Sequence, residues 1–199
     1  MRNLNPTLVV AFMGVDGSGK TTLTKYLIKK LKKNYRKYKY LHLRPYLFLT
    51  DKRTVNKNPY KQKLQSSKFK SLIRILIWLF MYRVFFFIYK KKKNQLIIFD
   101  RYAHDLLIDK KRYNFNLSKK FTEYLLGLFP KPDLWVILNA PIKIIEKRKK
   151  ELTLHELKKQ MHKYKNFKKK DNCAIIVDTS DQIHKNILLI TSKMKSIVN

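Results

Sequence analysis

Four glycines, six prolines and one cysteine are all that 199 residues contain, and acidic side chains are scarce, with 13 Asp and Glu against 46 Lys and Arg. So few glycines exclude a collagen-like chain, and a single cysteine excludes a disulfide framework. Cys173 opens the apolar run Cys173-Ala-Ile-Ile-Val177, where a buried, inert thiol is expected. The compartment is then reducing, or one in which disulfides play no part. Wholesale disorder is excluded too, because 45% of the residues are hydrophobic and 13% aromatic, enough for a core. At ~100–200 residues per domain, a chain without repeats or linkers reads as one domain over residues 1–199.

The shortage of acids leaves a formal charge of +33. Charge of this size suits nucleic acid or an anionic membrane. The bases themselves point elsewhere: nine of the 46 are Arg and the rest are Lys scattered from end to end. Dedicated phosphate readers favour the bidentate guanidinium fork. A biased composition rich in Lys, Asn and Ile accounts for the charge equally well. No RNA-binding signature or stacking-aromatic array is present, so nucleic acid is not an expected partner. His42, His104, His155, His162 and His184 share no metal-ligand spacing, and structural or surface roles are expected for them.

Long hydrophobic runs are few. Leu8 to Met13 is too short for a secretory signal and runs straight into a glycine loop. Ser71 to Tyr89 would reach ~28 Å as a helix, near the thickness of a hydrocarbon core. Its two arginines, Arg74 and Arg83, are costly in lipid. The expectation is a long helix packed in a soluble domain, with those arginines toward a cleft.

The remainder alternates apolar runs with helical periodicity. Strands are expected at 7–13, 38–43, 95–100, 133–139 and 174–177. Helices are expected at 21–33, with Leu23, Leu27, Ile28 and Leu31 inward, and at 71–89, 118–128 and 181–197. Pro141 suits the first turn of another, and Thr153-Leu-His-Glu156 fits a capping box ahead of a stripe of Leu154, Leu157, Met161 and Tyr164. Residues 50–68 read as an exposed loop or a short broken helix. Strands alternating with helices mean an α/β parallel sheet.

Three of the four glycines fall within six residues. Gly14-Val15-Asp16-Gly17-Ser18-Gly19-Lys20-Thr21 satisfies the P-loop pattern between an apolar strand and an amphipathic helix. Glycines let successive N–H groups turn toward phosphate oxygens, and the helix N-terminus adds partial positive charge. Lys20 then reaches the β and γ phosphates, and the Thr21 hydroxyl ligates Mg²⁺. Asp100, ending the third strand beside Arg101, lies where open α/β sheets bind ligands. There it can hold Mg²⁺ through water or position an acceptor, while Arg101 grips an anionic group.

The stretches Phe12-Met-Gly-Val-Asp-Gly-Ser-Gly-Lys-Thr-Thr22 and Phe99-Asp-Arg-Tyr102 resemble the thymidylate kinase family of P-loop nucleoside-monophosphate kinases. Weaker likeness lies at Arg44-Pro45 and between Pro132-Asp133-Leu134 and Asn139-Ala-Pro141. The resemblance implies a P-loop NTPase fold, a five-stranded parallel sheet with helices on both faces. In it the 7–13 strand lies between 95–100 and 133–139, with 38–43 beyond 95–100. It implies ATP-dependent phosphoryl transfer with Mg²⁺, held by Thr21 and Asp100, to a small-molecule acceptor. The nucleotide site would be Gly14, Val15, Asp16, Gly17, Ser18, Gly19, Lys20, Thr21 and Thr22. Asp16 would meet the acceptor's sugar and Arg101 its phosphate, with Arg44, Tyr102 and Asp105 also at the acceptor. Some members place a catalytic Arg where Gly17 stands here; others supply that charge from a lid. The lid would be about 148–156, with Arg148 the favoured catalytic residue beside Lys20, Arg101 and Asp16, and Lys149 and Lys150 as alternatives.

The base-reading Ser and Ala-Tyr-Gln of thymidylate kinases are replaced by Ala103-His104-Asp105-Leu106-Leu107-Ile108-Asp109. That stretch, with Arg112-Tyr113 and Arg148-Lys-Lys-Glu-Leu-Thr-Leu154, is more similar to thymidylate kinase-like proteins of bacterial surface-polysaccharide regions. Three functions stay open: a kinase of nucleoside monophosphates or similar small acceptors, a kinase of a sugar or lipid-linked glycan hydroxyl, and a nucleic-acid-associated NTPase or inactive nucleotide-binding module. A cytoplasmic location is expected; a homodimer stays open, as does peripheral contact of a glycan kinase with the inner face of an anionic membrane through the basic flanks of the 71–89 helix.

Overall fold

Nearly continuous apolar strands need cover on both faces, and the computed structural model, which describes residues 6–45, 66–149 and 151–198, provides it. Most of the expected 50–68 loop, and Lys150, lie outside the described residues. Strands β1 (Leu8–Met13), β2 (Lys37–His42), β3 (Gln95–Asp100), β4 (Leu134–Asn139) and β5 (Ala174–Asp178) form one parallel sheet in the order β2-β3-β1-β4-β5. This is the implied order. Side chains alternate between two cores. Val9, Ala11, Met13, Ile97, Phe99, Trp135 and Ile137 point to one, and Leu8, Val10, Phe12, Leu96, Ile98, Leu134 and Val136 to the other.

The second core is closed by α1 (Lys20–Leu31) through Leu23, Leu27 and Leu31, and by α7 (Ile183–Val198) through Ile187, Ile190 and Met194. The first is closed by α2 (Lys68–Lys90), α3 (Asp105–Ile108), α4 (Lys119–Gly127), α5 (Ile142–Arg148) and α6 (Leu154–Lys170). Ser67, Ser118 and Thr153 cap α2, α4 and α6, each accepting an N–H three residues on, at 3.2–3.3 Å. Such caps contribute about 1 kcal/mol each. Pro141 stands at the N-cap of α5.

Three expectations are corrected and one element is added. Cys173 is exposed, because β5 starts one residue later and Cys173 sits in the preceding turn. Leu154 is exposed, being the first residue of α6 and short of the core that Leu157 and Tyr164 reach. The short helix α3 carries no periodic signal and was not expected. Finally, α2 buries only one face. Ile75, Trp78, Tyr82 and Phe85 pack on the sheet, while Phe69, Ile73, Leu76, Ile77, Phe80 and Phe87 are exposed. Its arginines donate to backbone carbonyls: Arg74 to Tyr113 at 2.5 Å and Arg83 to Leu128 at 3.2 Å.

Candidate active site

The sheet reverses its strand order around β1, so a crevice opens at the C-terminal ends of β1 and β3. The chain leaving β1 there makes the phosphate loop. Gly14 (φ 147°) and Gly17 (φ 83°) take conformations that side chains resist, and a Cβ on Gly14 would stand 2.8 Å from the Leu138 carbonyl oxygen. The loop feeds α1, whose N-cap, Gly19, makes no side-chain cap and whose first turn holds no acid. Its open N–H groups and partial positive charge are left for an anion. Ser18 Oγ, buried without a hydrogen-bond partner among the described residues, is a further group suited to a phosphate oxygen.

A cleft of about 720 Å³ lies over this loop. Lys20 enters it from α1, its ammonium donating to the carbonyls of Gly14 and Val15, both at 2.8 Å. Burial, aided by nearby Arg101 and opposed by Asp16, Asp100 and Asp105, pushes that ammonium down to about 7. Thr21 and Thr22 also line the cleft.

Asp16 is the electrostatic centre. Burial opposes its ionisation, but Arg101, Lys20 and Arg112 outweigh that and hold the carboxyl well below the usual carboxylate range. Arg101 Nη2 donates to Oδ1 and Arg112 Nη1 to Oδ2. Lys149 Nζ lies 3.4 Å from Oδ2, and Lys20 Nζ 3.9 Å from Oδ1. Arg101 itself adopts a left-handed backbone (φ 72°), a strained conformation of the kind that gathers at functional sites. Its N–H donates to the Phe12 carbonyl at 2.8 Å, and Nη1 to Asp105 Oδ2 at 2.6 Å.

Asp100 lines the cleft with one oxygen, Oδ2, taken by the Tyr40 hydroxyl at 2.5 Å. The other is buried and has no hydrogen-bond partner among the described residues. Arg148, ending α5, donates to the Gly17 carbonyl at 3.2 Å and lines the cleft with Lys149.

The expected site residues therefore divide. Asp16, Gly17, Gly19, Lys20, Thr21, Thr22, Asp100, Arg101, Arg148 and Lys149 line one cleft; Gly14 and Val15 meet it only through their carbonyls on Lys20, the Val15 side chain lying in the core, and Ser18 is buried within the loop. Two acceptor assignments do not hold. Tyr102 turns into the core against Phe99, Tyr82 and Trp135, and its hydroxyl donates to the Pro130 carbonyl. Asp105 lies fully buried behind Arg101, where it also receives the hydroxyls of Tyr164 at 3.0 Å and Tyr113 at 3.3 Å. Arg44, two residues beyond the cleft-lining His42, stands over the Trp78 ring at 5.7 Å. Arg112, Tyr40 and His42 line it without having been assigned to it. For Tyr40 and His42 a period-two reading of β2 could have found this, since alternate residues at the C-terminal end of a strand face the same side.

A P-loop whose lysine, threonine and facing carboxylate share one cleft at a sheet switch point defines a P-loop nucleoside-triphosphate site. Residues 12–188 match the thymidylate kinase family, and the chain belongs to it, which makes the site that of an ATP-dependent kinase. It is 24% identical over 159 residues to a probable thymidylate kinase of Metallosphaera sedula, covering 77% of this chain and 74% of that protein. Solved structures share the fold. The thymidylate kinase of Candida albicans superposes with a TM-score of 0.64 at 19% identity, over 96% of this chain and 92% of that one. The deoxyadenosine kinase of M. mycoides with bound dCTP gives 0.60 at 18%, over 95% and 100%.

Proposed function

We propose that the protein transfers the γ-phosphoryl group of ATP to a nucleoside monophosphate held at Arg101. The observation that carries this reading is the Asp16–Arg101 pair, which sets a buried guanidinium beside the phosphate loop. Phosphoryl transfer passes through a loose transition state, so the protein acts mainly by positioning and neutralising charge. Lys20 and Arg148 would meet the transferring group, Arg101 the acceptor's phosphate and Asp16 its sugar. The orphaned Asp100 oxygen and the Thr21 hydroxyl are hard oxygen donors that fit Mg²⁺, which when bound neutralises phosphate charge. A kinase drawing on ATP and Mg²⁺ would work in the cytoplasm.

The segment after Arg101 favours a second reading. Asp105 and Asp109 are buried there, so neither carboxylate is presented to a base. That leaves a sugar or lipid-linked glycan acceptor as the second reading. Transfer of labelled γ-phosphate across nucleoside monophosphates, sugars and lipid-linked sugars separates the two. Turnover of at least one monophosphate is expected, and turnover of sugars alone would replace the first reading with the second.

The exposed apolar stripe of α2 supports a homodimer, the second copy covering Phe80 and Phe87. Light scattering at micromolar concentration should give twice the monomer mass. A monomer that sediments with anionic vesicles would instead assign the stripe to a membrane.

A further inference from the structure

We infer that the Tyr164 hydroxyl is a positioning group for the cleft. By occupying one oxygen of Asp105, it keeps Arg101 from closing on that carboxylate with both terminal nitrogens, and so leaves one of them facing the cleft. What that nitrogen then holds rests on the kinase reading above.

Asp105 is fully buried, so both of its oxygens need donors. Oδ2 takes Arg101 Nη1 at 2.6 Å and the Tyr113 hydroxyl at 3.3 Å. Oδ1 takes the Tyr164 hydroxyl at 3.0 Å. A guanidinium beside a carboxylate favours the two-point fork, in which each of two nitrogens meets one oxygen. Arg101 makes one such contact with Asp105 and turns Nη2 to Asp16 instead. Tyr164 stands on the oxygen where the second contact would form.

Tyr164 is itself held in place. Its ring is buried in the core that Leu157 of the same helix also enters. The residue before it, Lys163, donates to the carbonyls of Leu107 at 3.3 Å and Ile108 at 2.8 Å, which close α3, the helix that carries Asp105. Near the start of α6, Glu156 pairs with Lys111 from the segment beyond α3. Gripped at these points, α6 fixes the hydroxyl against the carboxylate. Deleting that hydroxyl alone would orphan a buried Oδ1, and the second nitrogen of Arg101 can satisfy it by leaving Asp16. Asp16 would still keep Arg112 and Lys149. The fold would then lose nothing, while the cleft would lose one guanidinium nitrogen.

Tyr164→Phe deletes the hydroxyl and keeps the ring. Its crystal structure should show both terminal nitrogens of Arg101 on Asp105 and neither on Asp16. Its melting temperature should be no lower than that of wild type, because the lost hydrogen bond is replaced. With AMP, CMP, GMP, UMP and dTMP as probe acceptors, the KM for whichever is phosphorylated should rise about tenfold, with the KM for ATP within about twofold of wild type. Tyr113→Phe removes a donor from the oxygen that Arg101 already holds, and should leave Arg101 where it is. Arg101 keeping its wild-type contacts in Tyr164→Phe overturns the proposal, as does an unchanged KM for the phosphorylated probe. So does a Tyr164→Phe that melts lower, raises both KM values together or does not fold, each the mark of a hydroxyl that only supports the core. A wild type that phosphorylates none of the probes defeats the nucleoside-monophosphate reading instead. The position of Arg101 in Tyr164→Phe then decides this proposal by itself.

Discussion

Arg101 bridges two carboxylates: one terminal nitrogen donates to Asp105 at 2.6 Å and the other to Asp16. Asp105 is the fixed end, locked by the hydroxyls of Tyr164 and Tyr113, while Asp16 is the end that faces the cleft. An Arg held in a left-handed conformation at the end of β3 keeps its aim only while that buried anchor remains.

Asp105→Ala should therefore destabilise the fold by ~3–5 kcal/mol, since it leaves a buried guanidinium half-compensated. Asp105→Asn keeps one of the two acceptor oxygens, enough for Arg101 and Tyr113 at the Oδ2 position but not for Tyr164 as well, and should lose less. In that variant the KM for the acceptor should rise several-fold while the KM for ATP stays put. Urea unfolding and steady-state kinetics on both variants check this.

Lys20 titrates near neutrality before any nucleotide arrives, its ammonium pushed down to about 7 by burial first and Arg101 second. Phosphates in the loop should restore its charge. Nucleotide binding should then take up close to one proton at pH 8 and almost none at pH 6. Calorimetry in buffers of different ionisation enthalpy measures this directly, and in Lys20→Met the uptake should vanish. The folded pKa lies below the unfolded 10.5, so the unfolded chain holds more protons between pH 7 and 10.5. The stability cost of charged Lys20 is accordingly full below pH 7 and relieved as the pH rises through that window.

Arg148 touches the Gly17 carbonyl, at the position where some relatives carry a catalytic arginine. Arg148→Ala should lower turnover at least tenfold, about 1.4 kcal/mol of barrier, with ATP affinity little changed. A smaller loss would reduce Arg148 to a brace for the loop.

Much of this was legible in the sequence because it follows from periodicity and turn chemistry. Strands buried on both faces write themselves as apolar runs, and a glycine-rich turn between such a strand and a helix has few other uses. What stayed hidden depends on which way one side chain turns. Tyr102 follows a strained residue, so strand alternation breaks at Arg101 and the ring goes inward. Asp105 and Arg112 reach the Arg101–Asp16 pair through a single-turn helix and a loop, neither of which has a period to read. The half-exposed face of α2 was hidden for a related reason: a helix apolar all round does not say which side is covered.

His104 is the acid-sensitive point of the core. Burial, with Lys131 adding to it and Asp171 opposing, pushes its imidazole down to about 4, and Nδ1 has no partner among the described residues. The ring lies against Trp135 at 4.9 Å and Phe167 at 5.6 Å. The unfolded chain takes up this proton near pH 6.5 and the folded one only near pH 4. Stability should thus fall as the pH drops from 6.5 to 4, by on the order of 3 kcal/mol. His104→Phe should flatten that slope in thermal melts across the range.

The central claim is that this phosphate loop donates the γ-phosphoryl group of ATP to a small acceptor. It is tested most directly by incubating wild type and Lys20→Ala with γ-labelled ATP, Mg²⁺ and an acceptor panel, and following label into products other than inorganic phosphate. The account predicts a labelled acceptor with wild type and none with Lys20→Ala, both proteins giving the same circular dichroism. Label transfer that survives in Lys20→Ala at a near wild-type rate would contradict it.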